Sequence, residues 1–328
     1  APVVGATTFL RGNSEIIRYM ERSSGNVFET RADSLATTRL SNMTVPRVQE
    51  VLWFGSGRGL ILRYLDGEKL KTYSALIATT TSSGEGKLSG VFLSDDITEI
   101  VVNPAGNKIF YMEKSGTGAL GTLANPDGSS AAKIFSSPIS GWNISWPNEG
   151  SLFFTNKPVE NAASFSYLFN IKTRAFTRIF GDAFGLSSLA SPDVKSFFSL
   201  AEGPASELSI LLNASGAPKE SPLSTFPEKC VWNKKSSLLY CGVPCSALPR
   251  GTLESWYRGE LPLSDGLWSL DVKTGIGKLI TTFSQTGKEM DITQPLLTPN
   301  ETHFLFVNKN DLTLWSVRVS QATTTSAR

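Results

Sequence analysis

Few residues in this sequence have side chains suited to acid–base or nucleophilic chemistry. His303 is the single histidine among 328 residues, so the chain cannot by itself build a histidine-rich metal site or a pair of imidazoles. A Ser-His-Asp triad would have to use this ring, and no G-x-S-x-G pattern presents a nucleophilic serine. His303 follows a turn and begins an apolar segment, which is typical of a histidine on a β-strand. The sequence therefore indicates no catalytic residue by motif, no metal site and no cofactor.

Three cysteines lie close together in the sequence. Cys230 and Cys241 enclose the segment CVWNKKSSLLYC, and Cys245 follows four residues later. If the loop of this hairpin runs from Lys234 to Ser237, the first two cysteines face each other on paired strands, within reach of a disulfide. The C-x3-C spacing without a nearby histidine is a poor zinc signature. Cys245 is also within reach of Cys241. We therefore predict one disulfide, with Cys230 and Cys241 as the candidate pair and one thiol left over, and three free thiols are the alternative.

A long segment between two predicted strands, residues 242–265, has no counterpart elsewhere in the chain. It contains three prolines, three glycines and the cluster Trp256-Tyr257-Arg258. Long loops in compact folds are often functional, and Trp, Tyr and Arg contribute much of the binding energy at interfaces. We predict that these three residues bind a partner. The alternative is that the segment only packs over the channel or a neighbouring unit.

Two acidic residues precede similar strand entries: Asp96 before Ile97-Thr98, and Asp291 before Ile292-Thr293. The repeat described next places both residues near a central channel, on the face that carries residues 242–265. Converging carboxylates there would bind a cation or basic groups. The alternative is that each aspartate only accepts backbone hydrogen bonds in a tight turn. Asp96 and Asp291 therefore complete the predicted binding residues.

The elements that must position these residues come from a repeated unit. A strand leads into a turn rich in Pro, Asn, Asp or Gly, and an apolar, aromatic strand follows. Examples are VVNPAGNKIFYM (101–112), SWPNEGSLFFTN (145–156), LASPDVKSFFSL (189–200) and LLTPNETHFLFV (296–307). Third strands such as GLWSLDV (266–272) alternate apolar and polar residues, which indicates one buried face. No segment keeps a helical apolar period over three turns.

Seven units can be counted, and most begin roughly 42–50 residues apart, which is the period of a four-stranded propeller blade. Inner strands are predicted to start at residues 7, 48, 97, 142, 186, 230 and 292. The sequence therefore predicts an all-β, seven-bladed β-propeller of four-stranded antiparallel blades, as one domain over residues 1–320 with a polar tail at 321–328. The seventh unit has three strands, and we predict that Pro2-Val3-Val4 supplies its fourth and closes the ring. A six-bladed ring is the alternative.

Composition excludes several classes of protein. A net charge of +2, with 18% charged residues and no long basic run, argues against nucleic-acid binding. No apolar stretch is long enough to span a membrane. The start at Ala1-Pro2-Val3, the low charge and the abundant Ser and Thr favour an exported product in the periplasm or at the cell surface, with a signal or membrane anchor upstream.

The units NPAGNKIFYM and SPDVKSFFSL resemble the repeats of TolB-type and other WD40-like propellers. The segments IIRYMERSSGNVFE (16–29) and SWYRGELPLSDGLWSLD (255–271) are similar to exported bacterial propeller proteins of unknown function. The second and sixth units depart from the pattern, with GSGRG and NKKSS at their turns. This resemblance implies the propeller fold but not a function, because propellers carry many unrelated activities.

Three functions are compatible with these features. The main hypothesis is a non-catalytic recognition platform for a protein or peptide at the cell envelope, with its binding face around residues 242–265. The first alternative is a polysaccharide lyase or hydrolase that uses channel-facing carboxylates, with Asp96, Asp291 and Arg258 as its candidates. The second alternative is a structural module of an envelope assembly. A deep pocket where carboxylates with shifted pKa converge would favour the enzyme.

Overall fold

The computed structural model describes residues 1–42, 44–78, 86–157, 162–202, 207–213, 218–249 and 251–319, and the tail expected at 321–328 lies outside them. Its strands form six four-stranded sheets and one three-stranded sheet, all antiparallel. The prediction of a seven-bladed β-propeller is confirmed, and the six-bladed alternative is wrong. No helix of the described residues is long and apolar enough to cross a membrane.

The strands follow one another blade by blade. Blades 1 and 2 contain β1 (Val3–Arg11), β2 (Ser14–Glu21), β3 (Val27–Arg31), β4 (Thr38–Arg39), β5 (Val48–Phe54), β6 (Gly59–Asp66), β7 (Lys69–Ala78) and β8 (Lys87–Phe92). Blades 3 and 4 contain β9 (Ile97–Val102), β10 (Ile109–Ser115), β11 (Gly118–Ala124), β12 (Ala132–Ser137), β13 (Trp142–Asn148), β14 (Ser151–Asn156), β15 (Ser164–Asn170) and β16 (Phe176–Ala183).

Blades 5 and 6 contain β17 (Ser187–Ala190), β18 (Ser196–Glu202), β19 (Glu207–Asn213), β20 (Lys219–Glu220), β21 (Cys230–Trp232), β22 (Leu238–Pro244), β23 (Asp265–Asp271) and β24 (Gly277–Thr281). Blade 7 contains β25 (Ile292–Leu297), β26 (His303–Asn308) and β27 (Leu314–Arg318). Three short helices complete the described elements: α1 (Thr252–Tyr257) and two 3₁₀ turns, Pro227–Lys229 and Ser284–Thr286.

An asparagine closes the tight turn between the first two strands of blades 3 and 6. Asn103 Oδ1 accepts backbone hydrogen bonds from Asn107 at 2.9 Å and Lys108 at 2.8 Å. Asn233 Oδ1 accepts the equivalent bonds at 2.8 and 3.0 Å. Such a side chain replaces a backbone acceptor and fixes the turn. The NKKSS segment therefore forms the same turn as the other repeats, although its residues differ from the common pattern.

Neighbouring blades pack face to face, so the core is a series of interfaces between blades. Phe110 of blade 3 meets Phe154 of blade 4 edge-on, with ring centroids 5.9 Å apart, and both side chains are fully buried. The inner strands contact one another in sequence around the channel, and the Pro227–Lys229 turn joins this ring between β17 and β25. Residues on these inner elements therefore face a common central space.

The N-terminal segment closes the ring, as predicted, but over a shorter distance. Pro2 forms an antiparallel bridge with Thr313, and the Val3 backbone N–H donates to the Leu312 carbonyl at 2.7 Å. Val3 and Val4 belong to β1, which pairs with β2 inside blade 1. Because the chain turns into β1 at once, it cannot also run along β27. The fourth strand expected for blade 7 is thus reduced to one residue pair.

Candidate active site

A cavity of about 300 Å³ opens among the inner elements of blades 3 to 6. Its walls come from β9, β13, β14, β17, the Pro227–Lys229 turn and α1. The lining residues used below are Glu99, Asn143, Thr155, Ser187, Ser188, Glu228 and Tyr257. Two carboxylates, from blade 3 and from the turn before blade 6, therefore share one space with a phenol and several small polar groups.

Glu99 reaches the cavity because it is the third residue of the inner strand β9. Its carboxylate pairs with the Lys157 ammonium, and 23% of its side chain is exposed. Burial raises the pKa of Glu99 above its ordinary value, and this effect exceeds the opposing effects of the hydrogen bond and charge of Lys157. The negative charge of Glu50 acts in the same direction as burial. Glu99 is thus a carboxyl group that keeps its proton to a higher pH than a solvated glutamate.

Glu228, which lines the same cavity, holds a fixed orientation. Its Oε1 accepts hydrogen bonds from Ser187 Oγ at 2.5 Å and from the Tyr257 hydroxyl. Its Oε2 is buried and has no hydrogen-bond partner among the described residues. A buried carboxylate oxygen without a partner is costly, so Oε2 calls for a hydrogen-bond donor that the described residues do not supply.

Tyr257 is 42% exposed as a residue, but its hydroxyl end is desolvated against Glu228. That desolvation, together with the negative charge of Glu228, raises the pKa of Tyr257 well above its ordinary value. The phenol therefore stays protonated at neutral pH and acts as a hydrogen-bond donor. It is unsuited to act as a base.

Thr155, Ser187 and Ser188 add hydroxyl groups to the cavity wall. Thr155 Oγ1 lies 2.9 Å from Ser188 Oγ and 3.2 Å from Ser166 Oγ, and the two serine hydroxyls are 2.5 Å apart. Asn143, on the inner strand β13, adds an amide to the lining. Hydroxyls both donate and accept hydrogen bonds, so this wall suits a ligand that is itself rich in hydroxyl groups.

A buried ionic cluster lies behind this wall, where the Pro227–Lys229 turn meets blades 6 and 7. Lys229, Asp265 and Asp291 have side chains that are at most 1% exposed. The Lys229 ammonium donates to Asp265 Oδ2 at 2.7 Å and to Asp291 Oδ1. Asp265 Oδ2 also accepts the Ile292 backbone N–H at 2.7 Å. Burial raises the pKa of Asp265 to about 6, against the lowering effect of Lys229.

The ionic cluster anchors α1. Trp256 Nε1 donates to both carboxylate oxygens of Asp291, at 2.9 and 3.0 Å, and the indole is 3% exposed. On the other side, the Lys309 ammonium lies 3.8 Å from the Trp256 ring centroid and donates to the Trp256 carbonyl. This pair of contacts fixes the helix through Trp256. The next residue, Tyr257, is thereby placed over Glu228.

Of the five predicted binding residues, the structure brings three together. Trp256 and Asp291 contact each other and are buried, and Tyr257 follows in the helix. Arg258 is exposed and pairs with Glu254 at 2.7 Å and with Glu260 at 3.0 Å. Asp96 is exposed, with its carbonyl accepting the Lys114 N–H at 3.3 Å, and lies outside this cluster. The binding role of these residues stays a prediction.

The cysteines are arranged as the hairpin geometry indicated. Cys230 and Cys241 are directly opposed in the register of β21 and β22, with Cα atoms 4.1 Å apart, and their sulfur atoms are bonded. Cys245 is a free, exposed thiol. The disulfide pins the hairpin that begins immediately after Lys229. His303 is 9% exposed and lies 3.8 Å from Glu15, far along the chain from the cavity residues.

Sequence reasoning missed Glu99, Glu228, Lys229 and Asp265. A signal existed for Glu99: the third residue of three inner strands is Glu50, Glu99 or Gln294, so polar side chains recur at one height of the channel. Glu228 and Lys229 stand in the short segment PEKC, which has no periodicity to read. Within the described ranges, no group of three or more His, Cys, Asp or Glu residues is arranged to hold a metal ion.

Comparison with solved structures supports the propeller fold. The oligogalacturonate lyase of Vibrio parahaemolyticus is 11% identical, with a TM-score of 0.59 over 96% of both chains. A putative 6-phosphogluconolactonase of Bacteroides fragilis is 12% identical, with a TM-score of 0.53 over 98% of this chain and 91% of that one. A puromycin hydrolase mutant is 11% identical, with a TM-score of 0.59 over 93% of this chain and 50% of that one.

No protein-family model matches the sequence, and no curated protein is significantly similar to it. At such low identity, the structural likeness shows the fold, and the finer assignment to TolB-type or WD40-like propellers stays a prediction. The prediction of a non-catalytic recognition platform is wrong, because the similar propellers just described are named as enzymes.

Proposed function

We propose that this propeller is a glycoside-cleaving hydrolase whose active site is the cavity between Glu99 and Glu228. The observation that carries the proposal is the contrast between the two carboxyl groups in one cavity. Glu99 has a raised pKa, which suits a proton donor. Glu228 has one oxygen fixed by Ser187 and Tyr257 and a second without a partner, which suits a proton acceptor. The hydroxyl groups of the cavity wall support a carbohydrate substrate.

In the proposed reaction, the carboxyl group of Glu99 gives its proton to the glycosidic oxygen as the bond from that oxygen to the anomeric carbon breaks. A water molecule forms the new bond to the anomeric carbon and loses its proton to the Glu228 carboxylate. The net change is hydrolysis, with one carboxyl group acting as acid and the other as base. Tyr257 and Ser187 hold the base in orientation. The raised pKa of Tyr257 argues against a phenolate-driven elimination.

The test measures release of reducing ends from a panel of neutral and acidic oligosaccharides. We expect Glu99→Gln and Glu228→Gln each to lower kcat by about a hundredfold or more, as loss of a general acid or base does. Glu68→Gln, at an exposed position outside the cavity, is the matched control. Because a general acid works only when protonated, activity should fall as pH rises through the raised pKa of Glu99.

Two results would contradict this proposal. One is activity in Glu228→Gln equal to that of the parent protein. The other is an unsaturated, ultraviolet-absorbing sugar as the product, which would indicate elimination and therefore a lyase.

We also propose that the protein works in an oxidising compartment outside the cytoplasm. The Cys230–Cys241 disulfide supports this placement, because structural disulfides persist where thiols are not kept reduced. Mass spectrometry of the denatured, unreduced protein isolated from its native source should find one free thiol, Cys245. Three free thiols would overturn the placement.

A further inference from the structure

The charges around the candidate cavity are unevenly placed. Glu99 and Glu228 are its acidic lining residues, and within the described part of the chain no lysine, arginine or histidine lines it. The other lining residues are uncharged, and several of them, such as Ile144, Phe153 and Leu189, are apolar. The described wall therefore offers a ligand carboxyl groups, hydroxyl groups and apolar surface, but no positive charge.

The lysines on the side of blades 6 and 7 have partners of their own. The Lys229 ammonium is bound by Asp265 and Asp291, and its side chain has no exposed surface. The Lys309 ammonium lies over the Trp256 ring and donates to the Trp256 carbonyl. Although Lys229 directly follows the proposed base in sequence, its charge is therefore neutralised behind the cavity wall, where a ligand in the cavity cannot pair with it.

The two cations whose charge acts on Glu99 from blades 2 and 4 are also paired. Lys157 binds the Glu99 carboxylate itself. The Arg63 side chain is 8% exposed, and its guanidinium donates to Glu50 Oε2 and to the Ile97 carbonyl, both at 3.0 Å. Glu50, with 45% of its side chain exposed, adds a third acidic group on this side. The positive charges around the cavity thus already have acidic or carbonyl partners within the protein.

We propose that the active site accepts uncharged sugar units and excludes units that carry a carboxylate or a sulfate group. This inference rests on the proposed hydrolase and names its substrate class. An anionic group in the cavity would share it with the Glu228 carboxylate and would find no cation to pair with. Like charges repel more strongly beside apolar walls, and an unpaired charge removed from water is costly. Uncharged hydroxyl groups instead find donors and acceptors on Thr155, Ser187 and Ser188.

The effect on the proton donor points in the same direction. Negative charge near a carboxyl group raises its pKa, as the charge of Glu50 already does for Glu99. A substrate carboxylate beside Glu99 would raise that pKa further and make the group a weaker acid towards the glycosidic oxygen. An anionic substrate would therefore be bound more weakly and protonated less readily.

The test measures binding by titration calorimetry at neutral pH, using trisaccharides of glucose, galactose and mannose together with their uronate and uronamide counterparts. The uronamide has the shape of the carboxylate without its charge, so it separates charge from size. For each sugar whose neutral form binds, we expect the uronate to bind at least about tenfold more weakly, because like charges are brought together. The uronamide should bind like the neutral form.

A variant with an added cation provides a second measurement. Asn143→Lys places an ammonium group on the inner strand β13 at the cavity wall. It should reduce the preference for the neutral form over the uronate by about tenfold, because the uronate then has a partner. Glu68→Lys also adds positive charge, but at an exposed position outside the cavity, and should keep the preference of the parent protein.

Four results would overturn the inference. They are a uronate that binds as tightly as its neutral form, a uronamide that binds as weakly as the uronate, no binding of any neutral trisaccharide, and an unchanged preference in Asn143→Lys. Failure of the proposed hydrolysis is recognised separately. A neutral trisaccharide that binds with the expected preference but is never cleaved would contradict the hydrolase alone. Cleavage of uronate chains as fast as neutral chains would contradict the charge selection alone.

Discussion

The two sides of blade 7 are joined to the ring by different kinds of interaction. Towards blade 6, Lys229, Asp265 and Asp291 form a buried ionic cluster that Trp256 completes. Towards blade 1, the Pro2–Thr313 bridge borders an open groove. The first junction is closed to solvent and fixes the helix that borders the proposed active site. The second is not closed in this way. The two sides of one blade thus differ through what their flanking segments add.

The largest expected effect is at the buried cluster. Lys229→Met would leave Asp265 and Asp291 without their shared cation in a site that excludes water. Removing one partner of a buried ion pair typically lowers the free energy of unfolding by about 3–5 kcal/mol. Chemical denaturation should show a loss of this size, with Lys235→Met, on the exposed loop of the same hairpin, as the control. A loss below about 1 kcal/mol would mean that the cluster does not hold two ionised carboxylates.

The pH dependence of the free energy of unfolding tests the same ionic cluster between blades 6 and 7. Native Asp265 has a pKa of about 6, against 3.8 for the solvated group, so the native state holds the extra proton between these values. The stabilisation of the native state by this bound proton is complete below about pH 4 and is lost as the pH rises to about 6. The free energy of unfolding of the parent should therefore decline relative to that of Asp265→Asn across this window, by at most roughly 3 kcal/mol. If the free energies of unfolding of the two proteins changed in parallel with pH, the raised pKa of Asp265 would be contradicted.

A smaller effect is expected at the junction with blade 1. Deleting Ala1 and Pro2 removes the bridge to Thr313 and the bond from the Arg22 N–H to the Pro2 carbonyl. Loss of about 1 kcal/mol should lower Tm by roughly 2–4 °C. Ala1→Gly, which keeps every backbone group of the bridge, is the control. Deleting residues 1–6 should cost much more, because buried Val3 and Val4 are then lost from β1. Equal melting temperatures after deletion of residues 1–2 and after deletion of residues 1–6 would show that Pro2 alone closes the ring.

Most of the fold could be predicted because each blade repeats a local signal. A turn residue such as Asn103 or Asn233 accepts two backbone N–H groups, and the following apolar strand has a buried face. Both features depend on neighbours in sequence. The fourth strand of blade 7 was predicted at too great a length, because the sequence does not show that the chain bends into β1 directly after Pro2.

The candidate site could be predicted only in part, because its members are distant in sequence. Asp291 and Trp256 were singled out from a strand entry and an insertion, and they do meet. Lys229, which binds Asp291, is a single lysine in an irregular segment, and nothing local shows that it is buried. The helix α1 was missed because its six residues are too few for a helical period. Glu99 and Glu228 share a cavity through closure of the ring, which is a property of the whole chain.

The Pro2–Thr313 bridge has a consequence for how the molecule comes apart. Every other junction between blades is spanned by the covalent chain, but blades 7 and 1 meet only through non-covalent contacts. Local opening at this seam therefore separates the two ends while the remaining interfaces between blades stay intact. Unfolding should begin there and progress inward from both ends, so that the middle blades are the last to lose their structure.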